Sequence, residues 1–317
     1  MLHLTESDIE GMLSIEAAIP IIEDCFRSSG EGNAENPARF RMPIRKGFLQ
    51  FGPAALHDRD VMGFKLWANF GSPLRQVWDF LYSMQTSELL AVIQAHTISK
   101  YRTSAVTAVA TKYLSRPDAQ IVGLYGSGRQ AEAQIEAICQ VRPIDRVQVY
   151  SPTKANREAF CAKMSERLKI NVVPMDSPED VPNQADIIVT MTKSETPVLH
   201  GSWLKGPALI IGAGGNHWFE QEIDGAVVEA ASLVVVDERE QAKVEGGDIL
   251  WAAGHGLITW DKVENLGHVI VGRVPVPDPA NNTILFESHG CAMTDVAIAA
   301  AAYDIAVQRG LGRQLEL

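Results

Sequence analysis

Five short apolar segments, separated by helical patterns, most strongly constrain the fold of this chain. They begin at residues 120, 146, 185, 207 and 232 and read QIVGLYG, RVQVYS, ADIIVTMT, PALIIGAG and SLVVVD. None of them alternates polar with apolar residues, which is typical of strands buried on both faces of a parallel sheet. The intervening segments 129–141 and 154–168 have helical periodicity. This repeat predicts an α/β fold with a Rossmann-type, doubly wound parallel sheet.

The first third of the chain has a different pattern. The runs RFRMPI, GFLQF, VMGFKLWANF and LLAVIQA predict an antiparallel or mixed sheet, followed by a helix over 97–114. A last helical segment ends at Gly310, beyond the parallel sheet, so we expect it to return to the first domain. The sequence thus predicts a discontinuous α+β domain, 1–116 with 289–317, around a dinucleotide-binding domain at 117–288.

Charge and composition exclude several classes of function. Lys and Arg number 28 against 39 Asp and Glu, a net charge of −11, which argues against nucleic acid and anionic membrane surfaces as partners. No apolar run approaches the roughly 20 residues of a membrane span. The N-terminal segment has acids where a signal peptide has bases, so we expect a cytoplasmic protein. The eight histidines show no metal-ligand spacing, so we expect no metal.

The segment LYGSGRQA combines a glycine motif with the end of the first predicted parallel strand. Gly126, Gly128 and Ala131 fit G-x-G-x-x-A, with a strand before and a helix after, as a dinucleotide site requires. Gly126 permits the tight turn, Gly128 lets the backbone approach a pyrophosphate, and Ala131 keeps the helix close to the strand. We therefore expect a nicotinamide dinucleotide to bind here.

The residue at the end of the second parallel strand bears on which dinucleotide binds. NAD sites usually have an acid there for the ribose 2′-hydroxyl, whereas this chain has Ser151, followed by Thr153, Lys154 and Arg157. Hydroxyls and cations suit a 2′-phosphate, so NADP is favoured and NAD stays possible. Alternatively, Lys154 and Arg157 are only the solvated start of a helix.

Several motifs, in order along most of the chain, resemble the ornithine cyclodeaminase/mu-crystallin family. They are NPARFRMP, GFKLW, YRTSAVTAVATKYL, GSGRQA, YSPTKAN, ADIIVTMTKSETPVL, GGNHWFEQEID, VDEREQAKVEGGDIL and FESHGCAMTDVA. The resemblance implies a Rossmann domain plus a substrate-binding and dimerisation domain made from both chain ends. It also implies a homodimer.

The resemblance implies site residues as well. Arg39 and Lys65 correspond to the cations that bind the substrate α-carboxylate, and Arg102 to an arginine near both substrate and cofactor. The chemistry is reasonable, since a guanidinium suits a carboxylate and a lysine can also move a proton. The implied cofactor contacts, with those of the glycine loop, are Arg102, Gly126, Ser127, Gly128, Arg129, Gln130, Thr192, Asn216 and Ser288.

At one position the chain departs from the lyases of the family. Asn216 stands where ornithine cyclodeaminases have a catalytic Asp, and a carboxamide cannot shuttle a proton near neutral pH. Asn216 would instead orient a nicotinamide or a substrate amine. A replacement base could come from His217, His289 or Asp295.

These observations favour an NAD(P)-dependent oxidoreductase, an imine or ketimine reductase or an amino-acid dehydrogenase, acting on a small amino or imino acid. Lys65 and Asn216 are then the candidate catalytic residues. Two alternatives stay open. One is an ornithine cyclodeaminase-type lyase that uses its bound cofactor catalytically. The other is a non-enzymatic small-ligand binder similar to mu-crystallin.

Overall fold

A computed structural model describes residues 1–70 and 76–316 of the chain. The chain divides into two compact units. The first comprises residues 1–105 and 290–317, and the second comprises residues 106–289.

The helices and strands are numbered in chain order. The helices are α1 Glu6–Met12, α2 Ile15–Glu31, α3 His96–Leu114, α4 Arg129–Cys139, α5 Lys154–Leu168, α6 Gly225–Ala230, α7 Arg239–Glu245, α8 Gly247–Gly254, α9 Leu266–Ile270 and α10 Ala292–Arg309. The first eight strands are β1 Leu2–Leu4, β2 Ala34–Glu35, β3 Phe40–Ile44, β4 Gly47–Leu56, β5 Val61–Asn69, β6 Gln76–Ser83, β7 Leu89–Gln94 and β8 Ile121–Tyr125. The others are β9 Arg146–Tyr150, β10 Asn171–Pro174, β11 Ile187–Thr190, β12 Leu209–Gly212, β13 Leu233–Val236, β14 Val263–Asn265, β15 Ile284–Glu287 and β16 Arg313–Gln314.

The first unit contains a mixed sheet in the order β16-β1-β7-β6-β5-β4-β2, with β3 paired to β4. The strands β4 to β7 are antiparallel neighbours, and β1 runs parallel to β7. The helix α10 packs on one face of this sheet, and a Cβ added at Gly63 would lie 3.3 Å from Val296 of that helix. Side chains of β5 and β6 on this face are therefore buried, and those on the opposite face are more exposed.

Local signals in the sequence explain where two of these helices begin and end. Thr5 forms a capping box with Asp8 at the start of α1, which satisfies backbone N–H groups of the first turn. At the other end of the chain, α10 stops at Gly310, whose φ of 64° is the left-handed conformation that favours glycine. The helix α10 belongs to the first unit, while the predicted domain bounds of 1–116 with 289–317 and of 117–288 stay a prediction.

The second unit contains a parallel sheet in the order β10-β9-β8-β11-β12-β15-β13-β14. Every pairing within it is parallel, and the strands β11, β12 and β15 are buried along their whole length. From β8 the chain adds β9 and β10 on one side of the sheet, and it then crosses back to place β11 on the other side of β8. A doubly wound sheet binds its ligand at such a switch point, outside the carboxyl ends of the strands. The predicted Rossmann-type α/β fold is confirmed.

The sequence patterns missed seven of the sixteen strands in the described residues. Six of them have only two to four residues each, namely β1, β2, β10, β14, β15 and β16. The seventh, β6, has an acid, Asp79, in the middle of an apolar run. Short runs carry little periodicity, and an interior charge weakens a strand pattern.

Among the described residues, no helix is long and apolar enough to cross a membrane.

Candidate functional site

The glycine loop of the second unit connects β8 to α4. Gly126 has a φ of 113°, and a Cβ there would lie 2.4 Å from the carbonyl oxygen of Met191. Gly128 is the N-cap of α4, and beyond its chain neighbours no atom of the described residues lies within 4 Å of the position that a Cβ would take. Ala131 is fully buried in the first turn of α4. The loop thus presents open backbone at a helix N-terminus, which suits the pyrophosphate of a dinucleotide.

The end of β9 lies beside this loop. Ser151 is buried, and its Oγ lies 2.9 Å from the Oγ of Ser127. The next helix, α5, begins with Lys154, whose ammonium is exposed and 3.8 Å from Glu158. The N-cap residue, Thr153, is also exposed. The end of β9 and the start of α5 thus present hydroxyl groups and the Lys154 cation.

Arg157, which sequence analysis also assigns to the cofactor, has partners within the protein. One guanidinium nitrogen donates to the Ser151 carbonyl oxygen at 3.1 Å, and another donates to Asp176 at 3.2 Å. Its guanidinium also lies 5.4 Å from the centre of the Tyr150 ring. Because the side chain is buried in these contacts, Arg157 shapes the end of β9.

The other predicted cofactor residues of this unit fall at strand ends and at the start of α4. Arg129 and Gln130 are the first two residues of α4, and the Arg129 side chain is exposed. Thr192 follows β11 and Asn216 follows β12, while Ser288 directly follows β15 and donates to Asp237 at 3.2 Å. The strands β11, β12 and β15 are neighbours in the sheet. The structure therefore brings these residues to the carboxyl edge, where the fold places a ligand.

Two buried carboxylates, which the sequence patterns did not single out, stabilise the loops at the carboxyl edge of this sheet. Glu222 accepts hydrogen bonds from the backbone N–H groups of Thr192 at 2.5 Å, Gly214 at 2.8 Å and Gly215 at 3.1 Å. Asp248 accepts from the N–H groups of Glu222 and Ile223. These bonds fix the loop that contains Asn216. The sequence signal for such a carboxylate is an acid beside apolar residues, and this signal does not identify the backbone N–H groups that the acid binds.

The two candidate histidines lie beside acids. His217 Nδ1 is 3.3 Å from Glu220, and the backbone N–H of Asn216 donates to the same Glu220 oxygen at 2.8 Å. His289 is buried, with Nε2 at 3.1 Å from Glu287. Burial, together with the nearby charge of Glu222, raises the pKa of Glu287 to about 8. His289 therefore belongs to a buried polar network.

In the first unit, Lys65 projects from β5 into the interior and is only 9% exposed. Its ammonium donates to Ser99 Oγ at 2.6 Å and to Asp295 Oδ1 at 2.7 Å. Ser99 belongs to α3, and Asp295 belongs to the first turn of α10. A buried ammonium is retained only where such partners compensate for its lost hydration. Two of its three N–H groups are used by these bonds.

Arg102 shares the same carboxylate. Its Nε donates to Asp295 Oδ1 at 3.1 Å, and a Cβ at Gly290 would come within 2.7 Å of its guanidinium. Burial acts to raise the pKa of Asp295, but the charges of Arg102 and Lys65, with a smaller contribution from Arg39, lower it below its ordinary value. Lys65, Arg102 and Asp295 therefore form a buried ionised cluster, which we call the Lys65 cluster, and its cations outnumber its anion.

A further acid beside the Lys65 cluster was missed from the sequence. Asp79 on β6 pairs with Lys65 in the antiparallel register of β5 and β6 and is 2% exposed. Neither of its carboxyl oxygens has a hydrogen-bond partner among the described residues. Burial raises its pKa to about 8, although the charge of Lys65 acts in the opposite direction. A single acid in the run VWDFLY was the only signal.

The chain is similar to a known protein family and to several solved structures. The model of the ornithine cyclodeaminase/mu-crystallin family matches residues 1–310. A Thermococcus litoralis Δ¹-pyrroline-2-carboxylate reductase, solved with NADH and L-proline, is 30% identical, with a TM-score of 0.93 over 99% of this chain and 100% of that chain. An archaeal alanine dehydrogenase dimer with bound NAD is 29% identical, with a TM-score of 0.93 over 100% and 99% of the two chains. The iminosuccinate reductase of Paracoccus denitrificans, solved with NAD⁺, is 27% identical, with a TM-score of 0.94 over 100% and 99%.

Proposed function

The chain belongs to the ornithine cyclodeaminase/mu-crystallin family, and we propose that it is an NAD(P)-dependent oxidoreductase that acts on the C–N bond of a small amino or imino acid. The observation that carries this proposal is the Lys65 cluster. Two buried cations share one carboxylate oxygen there, so the cluster favours a further anion. The three solved relatives are reductases or dehydrogenases whose substrates, by their names, are amino or imino acids.

The α-carboxylate of the substrate is the anion that we assign to this cluster. The planar guanidinium of Arg102 has a shape that suits a carboxylate, and Lys65 has a third N–H group beyond those given to Ser99 and Asp295. Arg39 adds a positive charge that already acts on Asp295. We assign Arg39, Lys65 and Arg102 to substrate binding on these grounds.

The residues of the chain then have distinct tasks in the reaction. A bound nicotinamide supplies or accepts the hydride at the carbon of the C–N bond. Asp295 holds the Lys65 ammonium in place through their hydrogen bond, so that the ammonium can bind the carboxylate or give a proton to the substrate nitrogen. Asn216, whose carboxamide can donate and accept, is assigned to orienting the nicotinamide or the substrate amine. The glycine loop, with Ser127, Arg129, Gln130, Thr192 and Ser288, is assigned to the dinucleotide.

The proposal is tested by the oxidation of NADPH and NADH, followed at the nicotinamide absorbance band. The panel contains Δ¹-pyrroline-2-carboxylate, Δ¹-piperideine-2-carboxylate, and pyruvate or oxaloacetate with ammonia. Oxidation with at least one of them is the expected result. Ammonia release from ornithine without net cofactor turnover would point to the lyase instead. Tight dinucleotide binding with no turnover of any substrate would favour the ligand binder.

We further propose that NADP is preferred to NAD, on the basis of the hydroxyls and the exposed Lys154 at the end of β9. The Ser151→Asp variant is expected to move the ratio of the two dissociation constants toward NADH by at least about tenfold, equivalent to about 1.4 kcal/mol. A carboxylate there repels a 2′-phosphate and accepts from a 2′-hydroxyl. Fluorescence titration of both dinucleotides measures the ratio, with Ser151→Asn as the uncharged control. Wild-type protein that binds NADH more tightly than NADPH would refute the preference.

We also propose that the chain forms a homodimer through the exposed face of the first unit's sheet. Pro53, Met62, Phe64 and Tyr82 line an apolar cavity of about 400 Å³ on this face, and Met62 is 40% exposed. Exposed apolar patches of this kind mark interaction sites. Sedimentation is expected to give twice the chain mass for the wild type and a shift toward monomer for Met62→Glu. The control, Val244→Glu, changes an exposed apolar residue of the other unit and should stay dimeric.

A further inference from the structure

The Lys65 cluster has a buried neighbour, Asp79, that carboxylate binding does not use. Asp79 lies directly across from Lys65 on the same face of the sheet. The Cβ atoms of such opposed residues are about 4.5–5.5 Å apart. The Lys65 ammonium nevertheless bonds to Ser99 and Asp295, and both Asp79 oxygens lack a hydrogen-bond partner among the described residues. Asp79 is thus close enough to compete for Lys65 without being its partner in this structure.

The charges around Asp79 come from four surrounding elements. Lys65 on β5 and Arg102 on α3 favour the ionised form, whereas Asp295 on α10 and Glu6 on α1 disfavour it. Glu6 already accepts hydrogen bonds from backbone N–H groups at the start of α3. The protonation of Asp79 is therefore set by a balance between burial and the two cations.

A bound anion changes that balance. Burial without hydrogen bonds penalises an ionised carboxyl, and its pKa of about 8 leaves Asp79 close to its titration at physiological pH. A substrate carboxylate on Lys65 and Arg102 cancels part of the positive field that offsets this penalty. Binding of the substrate carboxylate therefore favours the protonated form of Asp79. By linkage, protonation of Asp79 favours carboxylate binding to the same extent.

We propose that Asp79 is a positioning residue that takes up a proton when a substrate carboxylate binds Lys65 and Arg102, and releases it when they are empty. The proposal rests on the carboxylate site of the proposed function. Protonated Asp79 does not compete for the Lys65 ammonium, which can then turn its third N–H group toward the substrate. Ionised Asp79 attracts that ammonium and weakens binding. The affinity for carboxylates should thus fall as pH rises through the pKa of Asp79.

Calorimetric titration with pyrrole-2-carboxylate tests this proposal on the dinucleotide-saturated protein. This flat acid carries the required carboxylate, and its ring N–H does not titrate near neutrality. Titrations at about pH 8, and about one unit above and below, in two buffers of different ionisation enthalpy give the protons taken up. Wild-type protein is expected to take up a fraction of a proton near pH 8 and more above it. Its dissociation constant should rise by at most about tenfold per pH unit.

The Asp79→Asn variant is expected to bind the probe with no such uptake and with an affinity that changes little over this range. Asp304→Asn, which removes an exposed carboxyl of the same unit, should behave as the wild type. Equal proton uptake by wild type and Asp79→Asn would overturn the Asp79 proposal and leave the carboxylate site intact. Failure of the wild type to bind the probe would overturn both.

A second measurement uses the wild-type protein only, so it does not require that the Asp79→Asn variant folds. If circular dichroism shows that Asp79→Asn does not fold, infrared difference spectra of the wild type at about pH 8 report the same event. The carbonyl band of a protonated carboxyl should grow when pyrrole-2-carboxylate is added. A spectrum without that band would overturn the proposal.

Discussion

The Lys65→Met variant is expected to lose about 10²–10⁴-fold in kcat/KM for the imino acid that the wild type reduces best. Methionine preserves much of the length and apolar character of the side chain. It removes the ammonium that is assigned to carboxylate binding and leaves the hydrogen bond between Arg102 and Asp295 in place. Loss of carboxylate binding raises KM, and loss of proton donation lowers kcat. Steady-state kinetics with saturating NADPH or NADH separates the effect on KM from the effect on kcat.

Two controls show whether the loss is specific to the carboxylate site. Lys262→Met removes an exposed ammonium and should leave kcat/KM unchanged. Lys65→Met should still bind the dinucleotide with wild-type affinity, because the glycine loop belongs to the other unit. A Lys65→Met variant whose kcat/KM stays within about threefold of wild type would exclude Lys65 from the chemistry.

The sequence predicted those parts of the fold that local patterns determine. The helix α5, predicted over 154–168, has those limits, and α10 ends at Gly310 because only glycine adopts that left-handed cap without strain. Of the strands buried along their whole length, β11 and β12 were recognised by their unalternating apolar runs, whereas the four-residue β15 was missed. The Asp79 strand, β6, was missed because its packing against α10, which permits a buried acid, is a property of the tertiary structure.

The sequence predicted individual residues of the candidate site but not which of them lie together in space. Lys65 and Asp295 were both singled out, one as a carboxylate ligand and the other as a candidate base, yet 230 residues separate them. Only the packing of α10 on the sheet brings them together, and that pairing gives Asp295 a supporting role for Lys65. Asp79 escaped notice because its significance depends on strand register, which one sequence does not specify. The site assignments themselves stay predictions until variants are measured.

Changing each of the two glycines of the dinucleotide loop to alanine should have different effects on stability and on dinucleotide binding. At Gly126 the new Cβ meets the Met191 carbonyl oxygen, and the φ of 113° strains any L-residue. Gly126→Ala is therefore expected to lose about 1–3 kcal/mol of unfolding free energy from strain alone, and dinucleotide binding with it. Thermal melting measures the first effect and fluorescence titration measures the second.

Gly128→Ala is the matched test of the pyrophosphate position, because the two variants add the same methyl group two residues apart. In the part of the chain that the structure describes, no atom beyond the neighbouring residues lies within 4 Å of the new Cβ, and the φ of −88° suits alanine. Stability should stay within about 1 kcal/mol of wild type, the scale of a changed N-cap. The methyl group does occupy the space that a pyrophosphate needs, so the dinucleotide dissociation constant should rise at least about tenfold, or about 1.4 kcal/mol. A stable Gly128→Ala protein with undiminished affinity would mean that the phosphates do not contact this loop. The function would then need a different dinucleotide site, since the close approach of backbone to phosphate is the physical reason for a glycine at 128.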